Sequence, residues 1–431
     1  MCGNYNFRMF FNLILSQKKI MRRYDLDWLR VIAFALLIFY HVGMFFVPWS
    51  WHIKNNETSE WLTLPMWFLN QWRLPLLFVI SGMGTYFSLQ KRTGGQFMRE
   101  RVIRLLIPFV FGMLFIIPPQ VYIERLANSQ FTGSYFDFWP SEAFIGTYPE
   151  GNISWHHLWF ILYLLLFSLV LTPLFISIKK GLSKGSGFKD KALKENILSG
   201  ESELSSEMNF WSRFNLRLKK IISKPLGLYL FVGPLFLWEW GLQPFFPVTH
   251  ALVGDWFTII SSITLFLFGF IIITTKECFW HSVKRYRNIY LTVGIVCFSA
   301  MVYIVNNYED SLARHTIEAM IKVINLWSWI IALFGFAARY LNRNSSVLQY
   351  ANQAVYPFYI LHQTVIVIIG YYMIDLGWSP GIKASVMIIG TFGITWMIYE
   401  FLIRRWRFIR PLFGLKEERV KAADTLVKNY T

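Results

Sequence analysis

Tyr24-Asp-Leu-Asp-Trp-Leu-Arg30 runs without a break into Val31-Ile-Ala-Phe-Ala-Leu-Leu-Ile-Phe-Tyr-His41, and the fold class follows from how this stretch is read. An apolar run of this length can span a bilayer, yet it carries a guanidinium at its mouth and an imidazole deep inside. Ionisable groups are costly in hydrocarbon and mark function by default. On a helix rising about 1.5 Å per residue, Arg30 and His41 stand roughly 16 Å apart along the axis, one at the interface and one well past the midplane.

The rest of the chain agrees with a membrane reading. It has 431 residues, 55% hydrophobic and only 16% charged, too apolar for a soluble protein of this length. The formal net charge of +17 does not point to nucleic acid, because Lys and Arg cluster between apolar runs, where topology places them. Three cysteines, Cys2, Cys278 and Cys297, have no metal-ligand or CxxC spacing, so neither a disulfide framework nor a metal is expected. Met9 to Leu15 is too short and lacks the cleavage site of a signal peptide. Met21 is an alternative start, and no role is assigned to the residues before it.

Apolar runs near membrane length fall at 28–47, 65–89, 102–122, 155–178, 226–246, 256–275, 289–306, 317–340, 354–374 and 384–403. The expectation is an all-α, polytopic protein of about ten transmembrane helices. Connections rich in Lys and Arg alternate with poor ones, which places both termini in the cytoplasm. The expected organisation is a cytoplasmic N-terminal segment 1–23, a membrane domain 24–410 containing a flexible cytoplasmic loop 179–225, and a cytoplasmic tail 411–431. The end of that loop, from Phe210 to Ile222, is basic and aromatic, as in a helix lying on the inner leaflet. Pro75, Pro118, Pro119 and Pro357 are expected to kink their helices, and Ser81-Gly82 followed by Gly84 reads as a close-packing surface.

Depth sorts the buried polar residues into two groups. Arg30, Arg101 and Arg104 lie at cytoplasmic ends of spans. Guanidiniums at such a place suit phosphate oxygens, and equally suit lipid headgroups as topological markers. Towards the outer side lie Arg73, His157 in Trp-His-His-Leu-Trp-Phe160, and Glu239, with His41; His362, in Tyr356-Pro-Phe-Tyr-Ile-Leu-His362-Gln, sits nearer the middle. Histidine works as a base near neutral pH, and a carboxylate such as Glu239 could orient it. No P-loop, dinucleotide fingerprint, zinc motif or serine elbow is present, so any chemistry rests on the histidines.

Four motifs carry a resemblance: Leu26-Asp-Trp-Leu-Arg30 with its spacing to His41, the run Pro75 to Ser81-Gly82, Arg101-x-x-Arg104 leading to Pro108, and His157-Leu-Trp-Phe160. With the His362 segment in support, the chain from about Arg22 to Arg410 resembles the membrane acyltransferase 3 family, and most of all its glucan-biosynthesis protein C branch, the periplasmic glucan succinyltransferases. The resemblance implies a multi-pass enzyme of the cytoplasmic (inner) membrane. It would move an acetyl or succinyl group from cytoplasmic acyl-CoA, with no metal, to a hydroxyl of an extracytoplasmic glycan or sugar. His41 matches the family's essential histidine; Arg30, Arg101 and Arg104 match its conserved arginines and inherit donor binding. Some members carry a fused extracytoplasmic domain, so for a chain ending at Thr431 a partner completing the transfer is expected to be a separate envelope protein. The rival reading is a secondary transporter or glycan exporter with an intramembrane His/Arg/Glu path.

Overall fold

The computed structural model describes the backbone of residues 22–194 and 209–416, and the side chains of all of these except 185–194. The expected N-terminal segment, apart from Arg22 and Arg23, and most of the expected tail lie outside the described residues. Among the described residues every extended element is a helix, and the β pairing is limited to one bridge between Thr147 and Ile153. The helices are α1 (Tyr24–Met44), α2 (Thr63–Gln90), α3 (Gly94–Ala127), α4 (Tyr135–Ser141), α5 (Trp159–Lys194) and α6 (Phe210–Ile222). After these come α7 (Val232–Gly241), α8 (Trp256–Thr274), α9 (Glu277–Asn307), α10 (Leu312–Tyr340), α11 (Ser346–Met373) and α12 (Pro380–Met397).

Eight of them are long and apolar enough to cross a membrane: α1, α3, α5 and α8 through α12. This is a multi-pass membrane protein. A helix stands at each of the ten expected places, but two fall short of spanning character. Helix α2 has 28 residues, ample in length, but Asn70, Gln71 and Arg73 interrupt its apolar run. Helix α7 has only 10 residues, preceded by the 3-10 turn Gly227–Phe231. The apolar run continues past it, but Leu242 to Phe246 form turns around Pro244, and neither Pro244 nor the following Pro247 can extend a helix.

The expected loop 179–225 is also shorter than the sequence suggests. Helix α5 continues to Lys194; residues 195–208 lie outside the described part. Helix α6 forms as expected. Asn209 caps it by accepting from the Ser212 amide at 3.1 Å, and Asn215 donates to Thr274 at 2.6 Å, fixing α6 across the ends of α5 and α8.

Helix α3 is irregular for a definable reason. It contains two π-helical turns, Val102–Leu106 and Gly112–Ile116, each just before a proline that lacks an amide hydrogen. Pro118 leaves the Leu114 carbonyl without its helical donor, and Trp139 Nε1 donates to it instead at 3.0 Å. The nearby Ile116 carbonyl accepts from Thr364 Oγ1 at 2.8 Å, which ties α3 to α11. Pro75 and Pro357, by contrast, lie inside uninterrupted helices.

Helix α11 is the most deeply buried of the eight and α9 the least. Helix α11 packs against α1, α12 and the end of α3, while α2 packs along α8. The α2–α8 contact is reciprocal. A Cβ on Gly82 would stand 1.9 Å from the Phe266 carbonyl oxygen, and one on Gly269 would stand 2.0 Å from that of Val79. Only glycine permits this approach, as the close-packing expectation for Gly82 anticipated.

Candidate active site

Helices α1 and α11 bring together two histidines that are 321 positions apart. His41 Nδ1 lies 2.8 Å from His362 Nε2, and the rings stack with centroids 5.0 Å apart. The backbone assigns the protons. His362 Nδ1 is 2.6 Å from the Tyr359 carbonyl oxygen, which can only accept, so Nδ1 carries the hydrogen. In the neutral ring Nε2 is then an acceptor, and His41 Nδ1 donates to it. The free lone pair of His41 is left on Nε2. One backbone carbonyl thus orients a two-histidine chain whose outer end is a base.

His157 and Arg73 complete this group. His157 Nε2 donates to the Ile360 carbonyl at 3.0 Å; its Nδ1 is buried without a partner, and its ring meets that of His362 edge-on at 5.1 Å. Arg73 is 2% exposed and lies over the Tyr40 ring at 3.8 Å, within electrostatic reach of His41 and His362. Its Nε and Nη1 have no hydrogen-bond partner, and no carboxylate pairs with it among the described residues. A buried cation of this kind calls for an anionic or strongly polarised ligand.

Glu239 is not part of this group. It forms an ion pair with Lys322 of α10, so it does not orient His41. The carboxylate that does meet a histidine is one the sequence did not single out: Glu124 Oε2 lies 2.5 Å from His52 Nδ1. Tyr148 donates to the other oxygen of Glu124 at 3.0 Å. The Tyr148 hydroxyl is pushed up to about 12 by burial and by Glu124, so it stays a donor at any physiological pH. Gln363 faces His52 Nε2 at 2.9 Å and Gln120 Oε1 at 3.1 Å. Arg125 shapes the connection that holds Tyr148, through Asn152, Gln130 and the carbonyls of Pro149 and Gly151.

The arginines meet at the opposite end of α1. Arg101 donates to Thr85 at 3.2 Å and Arg104 to the Gly414 carbonyl at 3.2 Å. Arg30 pairs with Asp27 at 3.4 Å, and Glu100 serves both Arg92, at 2.6 Å, and Arg104, at 3.6 Å. Arg30, Arg92, Arg101 and Arg104 are all within electrostatic reach of Arg101 or of one another, giving a cationic cluster only partly neutralised by Glu100 and Asp27. Aromatic rings line the stretch between the two ends. Tyr356, near Arg101 and Arg104, stacks on Tyr359 at 6.4 Å; Tyr359 meets Phe34 at 5.2 Å and Phe160 at 6.2 Å. The residues Tyr356, Tyr359 and His362 follow one face of α11, so a single helix connects both groups.

A family model described as "Acyltransferase domain" matches residues 23–400. The "Glucans biosynthesis protein C" of Escherichia coli strain K12 is 23% identical over 397 residues, covering 89% of this chain and 92% of that protein. Its counterpart from Escherichia coli O1:K1 / APEC is 24% identical over the same coverage. The chain belongs to this acyltransferase family and is an acyl-transferring membrane enzyme.

Proposed function

We propose that this family member takes an acyl group from acyl-coenzyme A at the arginine end and delivers it to a sugar or glycan hydroxyl at the histidine end. The cytoplasm lies on the arginine side, as the basic connections indicate. The observation that carries this reading is the His41–His362 pair, whose backbone-set tautomers leave a lone pair on His41 Nε2, one helix length from a cationic cluster. Guanidiniums hold the phosphates of coenzyme A by charge-assisted hydrogen bonds. An extended pantetheine arm, on the order of 15–20 Å, matches the roughly 16 Å rise from Arg30 to His41.

In the reaction, His41 Nε2 takes the proton of the acceptor hydroxyl as its oxygen attacks the thioester carbon. His362 accepts the hydrogen bond from Nδ1 and spreads the imidazolium charge towards the Tyr359 carbonyl. Arg73, buried and without a carboxylate, stabilises the oxyanion of the tetrahedral intermediate. The carbon–sulfur bond then breaks, and His41 returns the proton to the departing thiolate, giving the ester and free coenzyme A. The same residues can form an acyl-histidine instead; direct transfer needs one step fewer. Similarity to proteins named for glucan biosynthesis supports a glucan acceptor; the acyl group of the proposal is acetyl or succinyl.

Proteoliposomes separate these elements. Acyl-coenzyme A labelled in the acyl group and supplied on one face, with a glucan oligosaccharide on the other, should give labelled ester on the glucan side only. Transfer with donor and acceptor confined to the same face would overturn the crossing, and labelling of the protein without acceptor would favour the acyl-histidine.

A further inference from the structure

We propose that His52, Glu124 and His156 form a site for a divalent cation of zinc type, independent of the acyl-transfer steps above. One potential ligand atom from each lies within 4.8 Å of the others. The three come from separate segments: the connection after α1, the end of α3, and the 3-10 turn His156–Leu158 that leads into α5. Glu124 is buried, and His52 is its ion-pair partner among the described residues, at 2.5 Å. His156 Nε2 is sealed from solvent and has no hydrogen-bond partner, although its ring touches those of His52, at 4.4 Å, and Tyr148, at 4.9 Å. A buried nitrogen with an unused lone pair beside a buried carboxylate is what a cation would satisfy.

The surrounding residues supply the hydrogen bonds that orient metal ligands. Tyr148 holds Glu124 Oε1 at 3.0 Å, leaving Oε2 for the cation. The Gln363 amide lies 2.9 Å from His52 Nε2, so without a cation the His52 hydrogen sits on Nδ1 and points at Glu124. Cation binding at Nδ1 moves that hydrogen to Nε2, and the Gln363 amide, which also donates to Gln120 Oε1, gives up its bond to His52; no net proton is released. Arg125, the nearest guanidinium in sequence, is occupied by Asn152, Gln130 and two carbonyls and does not neutralise Glu124.

Two imidazoles and one carboxylate favour zinc and its neighbours over calcium or magnesium, which prefer all-oxygen sites. The bound cation would clamp three segments at the histidine end.

The test uses the full chain purified in detergent without chelator, incubated with zinc and desalted. About one zinc per chain should remain, with loss of more than tenfold in Glu124→Gln and in His156→Asn. His281→Asn, an exposed histidine on α9, should keep it. Zinc should raise the thermal midpoint of the wild type and leave that of Glu124→Gln unchanged. Retention of under about a tenth of an equivalent by the wild type, or equal retention by Glu124→Gln, would overturn the site. If a variant does not fold, cobalt decides on the wild type alone: intense visible bands of low-coordinate cobalt support the site, and a weak spectrum like that of the aqueous ion refutes it.

Discussion

The arginine end and the histidine end carry comparable amounts of charge chemistry under opposite conditions. At the arginine end the side chains are partly exposed, with Arg104 at 45% and Arg30 at 33%, and each has an acidic neighbour. At the histidine end His362 is 0% exposed, Arg73 2% and His157 6%, and their partners are ring nitrogens, backbone carbonyls and the Tyr40 side chain, with no carboxylate among them in the described residues. Water attenuates the first set, while burial magnifies every missing or added hydrogen bond in the second. On the proposed function, the first set suits capture of a mobile, charged donor and the second suits proton transfer. Substitutions should therefore change KM at the arginine end and kcat at the histidine end.

The largest effect is expected at His41. His41→Gln keeps hydrogen-bonding capacity and removes the base, so kcat should fall by about 10³-fold or more, with donor binding retained; substantial turnover by a folded His41→Gln would end the catalytic assignment. Next comes Arg73→Gln, for which loss of oxyanion stabilisation should lower kcat by roughly 10²-fold at little change in donor KM. A change confined to KM would move Arg73 from the chemistry to substrate binding.

His362 sharpens the comparison further. His362→Ala should cost about 10²-fold in kcat, and His362→Gln, whose side-chain oxygen can still accept from His41 Nδ1, should recover at least part of it. Equal loss in both would remove the orienting role. At the other end, Arg101→Lys with Arg104→Lys should raise the donor KM by about tenfold and leave kcat near its original value, because ammonium holds phosphate less specifically than guanidinium. A fall in kcat alone would break the division of labour.

The smallest effect concerns pH and a histidine outside both groups. His250 stacks on Trp159 at 3.9 Å, and burial pulls its imidazole down to about 4. Between the ordinary histidine value and 4 the unfolded chain binds a proton that the folded chain does not. Stability should thus be full above about pH 6.5, fall as pH drops towards 4, and fall less in His250→Gln. Thermal midpoints measured across that range would show it, and an unchanged acid slope in the variant would remove His250 as a cause.

The sequence pointed to His41, Arg73, His157 and His362 because each is an ionisable side chain in or beside an apolar run, which is a local anomaly. His52 and Glu124 carry no such signal. They lie near the ends of apolar segments, where charge is ordinary, and 72 positions separate them. His156 was visible only as the neighbour of His157. Glu239 was misleading for the converse reason: an acid within an apolar run is anomalous, but Lys322 satisfies it.

The sequence by itself determined the membrane class, the all-helical fold, the approximate places of the helices and the family, because transfer into hydrocarbon is decided segment by segment and motif spacing is carried along the chain. It overestimated α7, where proline placement outweighed hydropathy, and it ended α5 too early. Only the tertiary structure decided which polar groups meet. The pairing of His41 with His362, and of His52 with Glu124, depends on how α1, α3 and α11 pack, and the Ile116 carbonyl, which accepts from Thr364, is one of the ties between α3 and α11. A hydrogen bond is effective over about 3 Å, a scale that no one-dimensional pattern resolves across hundreds of residues.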